Sequence, residues 1–106
     1  MKQGDIVILE FPFSNTVEKK LRPALVLSNT RYNQRANVLL AGIYGKKQPF
    51  SITLTADDLR DGRLRKASFI SLQNIFSADK SLIQQTVGVL TAPKLKEVLR
   101  DLQKCL

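Results

Sequence analysis

The 106 residues are 43% apolar and 25% charged, with one cysteine and no histidine. That length fits a single domain, residues 1–106, with a core of its own. One cysteine excludes an internal disulfide, and the missing histidine excludes Ser–His and Cys–His nucleophile pairs and imidazole zinc sites.

Taken in chain order, the sequence reads mostly as short strands. "DIVILEF" (5–11) is β-branched and apolar, bounded by Gly4 and Pro12. "PALVLSN" (23–29) is almost continuously apolar, which predicts a strand covered on both faces. "ANVLLAGIYG" (36–45) is of the same kind. "FSITLT" (50–55) alternates, which puts Phe50, Ile52 and Leu54 on one face. "TADDLRDG" (55–62) reads as a short helix, with Thr55 as cap, Asp58 at the third position and Gly62 as the closing turn. "ASFISLQNIF" (67–76) is long enough for a bent strand or two short ones, and "ADKSLI" (78–83) has room for one helical turn. "QTVGVL" (85–90) reads as the last strand. In "TAPKLKEVLRDLQKCL" (91–106), Thr91 can cap a helix and Pro93 suits its first turn. Leu95, Val98, Leu99 and Leu102 form one stripe for the sheet. These elements predict a mainly β, α+β fold: a small, curved antiparallel sheet or partly open barrel with a terminal helix.

The net charge is +8, and its placement is uneven: residues 19–66 hold eleven basic and three acidic side chains, while the remainder balances. Such a concentrated field favours a polyanion, either nucleic acid or an acidic protein segment. No carboxylates gather at metal-binding spacing and no glycine-rich phosphate loop occurs, so no metal or cofactor is expected. The start "MKQGDIVILEFPF" is too short in its apolar run and too acid-punctuated for a signal peptide, so a soluble cytoplasmic protein is expected.

Arginine, lysine, tyrosine and hydroxyl groups remain, and this set binds phosphate. It also suffices to cleave RNA, which carries its own nucleophile, the 2′-OH; the protein then holds the geometry and neutralises the crowded phosphorane. Arg22, in "KKLRPALVLSN" (19–29), leads into the second strand, and an arginine fork matches phosphate oxygens. The plainer reading of Arg22 is a salt bridge to Glu10 or Glu18. Tyr44 ends the third strand as a strand aromatic or a base-stacking ring. Lys46 and Lys47, and "RLRK" (63–66) with Arg65, are either solvated charge or phosphate contacts.

"GDIVILEFPFSNTVEKKLRPALVLSN" (4–29) resembles the MazF/PemK family, the endoribonuclease toxins of type II toxin–antitoxin systems. The likeness continues through "PFSITLTADDL" (49–59), "GRLRKASFI" (62–70), "DKSLI" (79–83) and "GVLTAPKLKEVLRDL" (88–102). It implies an SH3-like barrel with a C-terminal helix, usually a homodimer, and metal-independent cleavage of single-stranded RNA. It also implies a cognate antitoxin with an acidic segment. Carried onto this chain, the resemblance makes Arg22 the catalytic arginine and "SNTVEKK" (14–20) the loop flanking the RNA, with Glu18 as a base. Tyr44 then contacts RNA beside Arg22, and Lys19, Lys20, Lys46, Lys47 and Arg65 follow its backbone. Tyr44 stands where relatives carry Ser or Thr, and Ser71 and Gln73 stand where many carry Arg and Asp. An alternative is therefore a relative that binds RNA or an antitoxin without turnover. The related toxin fold that poisons DNA gyrase is a further alternative, although the "LQKCL" end lacks its aromatic terminus.

Overall fold

The computed structural model describes residues 1–11 and 20–106. Among these residues seven strands form one sheet in the order β4-β6-β3-β2-β1-β7-β5, every pair antiparallel. They are β1 (Asp5–Glu10), β2 (Leu21–Val26), β3 (Asn37–Tyr44), β4 (Ser51–Leu54), β5 (Leu59–Gly62), β6 (Ser68–Asp79) and β7 (Ile83–Leu90). The helix α1 (Ala92–Lys104) closes the chain. No helix among the described residues is long and apolar enough to cross a membrane.

The central strands are buried on both faces, as their apolar runs require. One face of β1–β3 supplies Ile6, Leu25, Ala41 and Ile43 to a cluster completed by Ile52, Leu54, Ile70, Leu90 and Val98. The other face supplies Val7, Leu9, Ala24, Val26, Val38 and Leu40 to a cluster with Phe76 and Ala78. Both form because the sheet rolls back on itself. The strand β6 turns the corner: its start pairs with β4 and the end of β3, and its remainder with the start of β3. Each fully buried Leu or Val there contributes about 1.5–3 kcal/mol.

The terminal helix starts at Thr91, whose hydroxyl accepts from the Lys94 amide at 3.4 Å, with Pro93 in the first turn. Leu95, Val98 and Leu102 pack on the first cluster. Leu99 is half-buried outside it. The Lys94 ammonium bridges Asp58 at 3.6 Å and Glu97 at 3.3 Å, tying the helix to the turn before β5.

Two segments differ from expectation. Thr55 and Asp58 do form the capping box, with the Thr55 amide donating to the Asp58 carboxylate at 2.8 Å. The helix is nevertheless a single 3-10 turn, Ala56–Asp58, and Leu59–Gly62 is the edge strand β5 on β7. Arg60 and Asp61 offer no apolar stripe that would reward further helical turns. Gly62 has φ +100 but lies inside the ladder opposite Gly88, not in a helix-closing turn. Phe50 also departs: its φ of +49 breaks the alternation, and the ring is 69% exposed instead of joining Ile52 and Leu54. The single turn foreseen in 78–83 is the 3-10 turn Lys80–Leu82. There Asp79 accepts from the Ser81 amide at 2.8 Å, and that hydrogen bond holds its carboxyl below the usual range.

The connection from β2 to β3 is pinned by a buried polar network. The Asn33 amide nitrogen donates to the Ser28 carbonyl at 2.9 Å, and its oxygen accepts from the Ser28 hydroxyl. The Ser28 hydroxyl in turn accepts from the Leu39 amide at 3.0 Å, and Lys80 Nζ donates to the Asn33 carbonyl. Asn33→Ala strands the buried hydroxyl and carbonyl of Ser28, so it is expected to cost about 2 kcal/mol. In a domain of this size that lowers Tm by roughly 8–16 °C, read by calorimetry.

Candidate functional site

Arg22 is the second residue of β2 and pairs with Leu9. Side chains alternate along a strand, so Arg22 shares the face of Ala24 and Val26, where the second cluster reaches its rim. Its guanidinium carbon lies 6.0 Å from the centroid of the Phe11 ring. Phe11 in turn packs on Phe76, with centroids 5.1 Å apart and planes tilted by 58°. An aromatic face at that range attracts the cation while leaving its N–H donors outward. Pro23 follows, with φ fixed by its ring. Glu10 pairs with Leu21 and so lies on the other face of β1. Among the described residues Arg22 forms no ion pair. Glu18 and Lys19 lie outside the described residues.

Tyr44 joins Arg22 through strand register. The β2–β3 ladder pairs Ala24 with Gly42. Two residues further along each strand, on the same face, stand Arg22 and Tyr44. Gly42 makes this arrangement possible: a Cβ there would lie 2.9 Å from Asn74 Nδ2 and 3.1 Å from both Cε2 and Oη of Tyr44. The Tyr44 ring therefore lies over Gly42, and the Asn74 side-chain amide donates to its hydroxyl oxygen. With its oxygen engaged as acceptor, the phenol keeps its own O–H to offer outward.

Asn74 is delivered by a break in β6. The β3 register jumps from Ala41↔Ile75 to Ile43↔Ile70, so β6 bulges between them. Buried Ser71 holds the bulge, its hydroxyl accepting from the amides of Gln73 at 3.2 Å and Asn74 at 3.1 Å. The Leu72 amide donates to the Phe50 carbonyl at 2.9 Å, tying the bulge to the β3–β4 turn. Ser71 thus shapes the backbone, and Gln73 is exposed.

Basic groups border this patch. Lys46 and Lys47 are exposed in the turn directly after Tyr44, and Lys20 is exposed just before β2. Arg65 is exposed in the loop before β6. Beside it, Lys66 Nζ comes within 3.4 Å of where a Gly45 Cβ would stand, so this amine is next to the Tyr44 backbone. Phe50 adds an exposed ring to the same β3–β4 turn. Among the described residues no three acidic or cysteine side chains converge as metal ligands would.

Sequence reading named Arg22, Tyr44, the lysine pair and, within "RLRK", Arg65; it did not name Phe11, Phe50 or Asn74, and it did not single out Lys66 from that run. Phe11 was visible only as the end of an apolar strand. The other three need the fold: a left-handed backbone residue, a loop folded against a glycine, and a bulge.

The profile of the PemK-like, MazF-like toxins of type II toxin–antitoxin systems matches residues 2–106. The chain belongs to that family. Solved structures agree with the MazF-like fold. A MazE–MazF complex from Deinococcus radiodurans has a TM-score of 0.78 at 24% identity, covering 99% of this chain and 94% of that one. MazF from the same organism gives 0.74 at 25%, with 99% and 94% covered. A mycobacterial endoribonuclease in complex with its cognate antitoxin gives 0.78 at 15%, with 98% and 92% covered. No curated protein sequence matches the chain significantly. The MazF-like curled sheet with its C-terminal helix is thus the architecture that the strand pattern implied.

The Gly42 contact gives a direct check. Gly42→Ala pushes against the far ends of Asn74 and Tyr44 rather than against backbone, so stability should change by no more than about 1 kcal/mol. The Tyr44–Asn74 hydrogen bond should be lost, seen as a shift of the Asn74 side-chain amide resonances.

Proposed function

We propose that this MazF-like chain is an endoribonuclease that cuts single-stranded RNA by 2′-OH attack, without a metal ion. The carrying observation is Arg22: a guanidinium seated on Phe11, set by register across from Tyr44 and ion-paired to no described carboxylate. An arginine so held presents a fork that matches two phosphate oxygens.

The chemistry follows from the positions. The 2′-oxygen attacks the adjacent phosphorus, the P–O2′ bond forms and the P–O5′ bond breaks. The products are a 2′,3′-cyclic phosphate and a 5′-hydroxyl. The proton leaves the 2′-OH and a proton is delivered to the departing O5′. Arg22 offsets the charge that builds on the phosphorane oxygens. Tyr44, its oxygen occupied by Asn74, donates its own hydrogen towards the phosphate. Glu18 is assigned as the base, from family resemblance alone. Lys19, Lys20, Lys46, Lys47, Arg65 and Lys66 neutralise flanking phosphates, and Phe50 offers a face for an unstacked base.

The partners follow the same charge logic. Relatives of this fold are seen bound to cognate antitoxins. An antitoxin with an acidic segment competes with RNA for this basic patch, in a cytoplasmic, homodimeric toxin.

A second reading has one supporting observation. Ser71 is buried in the bulge and Gln73 is neutral, so the patch has no ionised pair at the positions where many relatives carry Arg and Asp. The chain would then bind RNA or antitoxin without turnover.

The deciding experiment incubates the protein with a long single-stranded RNA in EDTA. Cyclic phosphate ends, and resistance of a fully 2′-deoxy strand, are expected. A need for added metal, or cleavage of the deoxy strand, rules out the mechanism. Salt-sensitive binding with intact RNA selects the second reading.

A further inference from the structure

The connection between β2 and β3 carries a second concentration of cationic and aromatic groups. A cavity of about 340 Å³ is lined by Asn29, Arg31, Tyr32 and Arg35. It lies at the far end of β2 from Arg22. The six residues between Arg22 and Asn29 span roughly 20 Å if extended throughout, too far for one nucleotide to touch both.

The loop is rigid where it matters. Buried Asn33 is its anchor, bonded to Ser28, to the Met1 carbonyl at 3.4 Å and through its own carbonyl to Lys80. The Tyr32 amide donates to Asn29 Oδ1 at 2.9 Å and the Arg35 amide to the Tyr32 carbonyl at 3.1 Å. Because Asn33 points inward, its neighbours Arg31, Tyr32 and Arg35 are left exposed on the outside.

Neither arginine forms an ion pair with a described residue. Asp79, paired in the β3–β6 ladder with Asn37, accepts from the Ser81 amide. Two like charges are thus fixed beside one concavity without a described counter-charge, an arrangement that an anion relieves. The volume lies within the range of small-ligand pockets. Guanidinium forks fit phosphate oxygens in two places each, and a half-exposed phenol ring offers a stacking face for a base.

We propose that Arg31, Tyr32 and Arg35 form a second site, separate from the Arg22 patch, that binds the phosphate and base of a nucleotide. Its occupant is either a free nucleotide or one unit of a longer RNA strand; the chemistry is shared. The site does not depend on cleavage at Arg22.

The test uses the intact protein with five probes: inorganic phosphate, uridine and adenosine 5′-monophosphates, a 2′-O-methyl RNA 12-mer, and a glutamate-rich peptide. Amide resonances of residues 29–35 and calorimetric affinities are read for wild type, R31Q/R35Q, Tyr32→Leu and Arg22→Ala. All substituted residues are exposed, and matching Tm values confirm that the variants fold. The R31Q/R35Q change should weaken nucleotide binding by about tenfold or more. Tyr32→Leu should weaken nucleotides but leave inorganic phosphate unchanged, and Arg22→Ala should leave the mononucleotide shifts at 29–35 intact. Saturation by mononucleotides identifies a free-nucleotide site. Loss of affinity confined to the 12-mer identifies an RNA track. The proposal is overturned if no phosphate probe moves residues 29–35, if R31Q/R35Q binds like wild type, or if only the acidic peptide binds there.

Discussion

Arg22→Ala is expected to lower RNA cleavage by about 10²–10³-fold, the loss typical of removing a single preorganised donor to a developing oxyanion. The fold should hardly register the change. Arg22 is exposed, and the residues that define its strand position, Leu9, Ala24 and Val26, are buried without it. What disappears is a cationic fork that matches two phosphate oxygens. Arg22→Lys keeps the charge but loses the fork, so it should recover only part of the rate, remaining about tenfold below wild type. RNA affinity gives a second measure: each lost phosphate contact reduces the salt slope of binding by about one. A variant that binds with a shallower slope and cuts at the wild-type rate would remove Arg22 from the chemistry. Phe11→Leu separates holding from reacting. It keeps the apolar packing against Phe76 but removes the ring face beneath the guanidinium, so it should slow cleavage by a few-fold at unchanged Tm.

Why Arg22 was legible and Asn74 was not is a matter of distance along the chain. Arg22 announces itself locally, as a charged residue tied to proline at the mouth of an apolar strand. Asn74 reaches Tyr44 only because β6 holds extra residues against β3 and Ser71 folds them into a bulge. Nothing in "FISLQNIF" marks which polar residue is buried as a hinge and which faces the groove. Lys66 is hidden in the same way, since "RLRK" gives no reason to prefer one of its charges until Gly45 is seen beside it. Phe50 misleads more actively: alternation puts it with Ile52 and Leu54, and only the left-handed backbone at this one residue turns the ring outward.

The strands divide along similar lines. Those with apolar runs, β1, β2, β3 and β7, could be read directly because burial on one or both faces leaves a period in the sequence. The edge strand β5 could not. It has four residues, of which Leu59 alone is a large apolar side chain, and it follows a capping box that serves a 3-10 turn as well as an α-helix. Its place in the sheet is set by backbone contact with β7, and that contact leaves no apolar trace.

Gly62→Ala therefore tests the part of the fold that pattern did not reveal, and its effect should be large. Gly62 holds φ +100, a region that a Cβ disfavours by about 1–2 kcal/mol. Its ideal Cβ would lie 2.5 Å from the Val87 carbonyl oxygen and 2.8 Å from the Gly88 Cα. These are backbone atoms of β7, which cannot rotate aside as Asn74 can from Gly42. The strand β5 must move off β7, which loosens Leu59 from the core cluster and disturbs the bond from the Thr91 amide to the Asp58 carbonyl at 2.8 Å. That bond and the Lys94–Asp58 ion pair tie α1 to this edge, so the helix feels the displacement. Strain and lost contacts together should cost about 3 kcal/mol, lowering Tm by roughly 12–24 °C. Gly45→Ala is the matched control. Its Cβ would meet only the flexible end of Lys66, at 3.4 Å, so Tm should stay within a few degrees. Because β5 lies three strands from β2 in sheet order, Gly62→Ala protein that remains folded at low temperature should bind RNA at the Arg22 patch as wild type does. A wild-type Tm for Gly62→Ala would mean that β5 does not pack on β7 in this register.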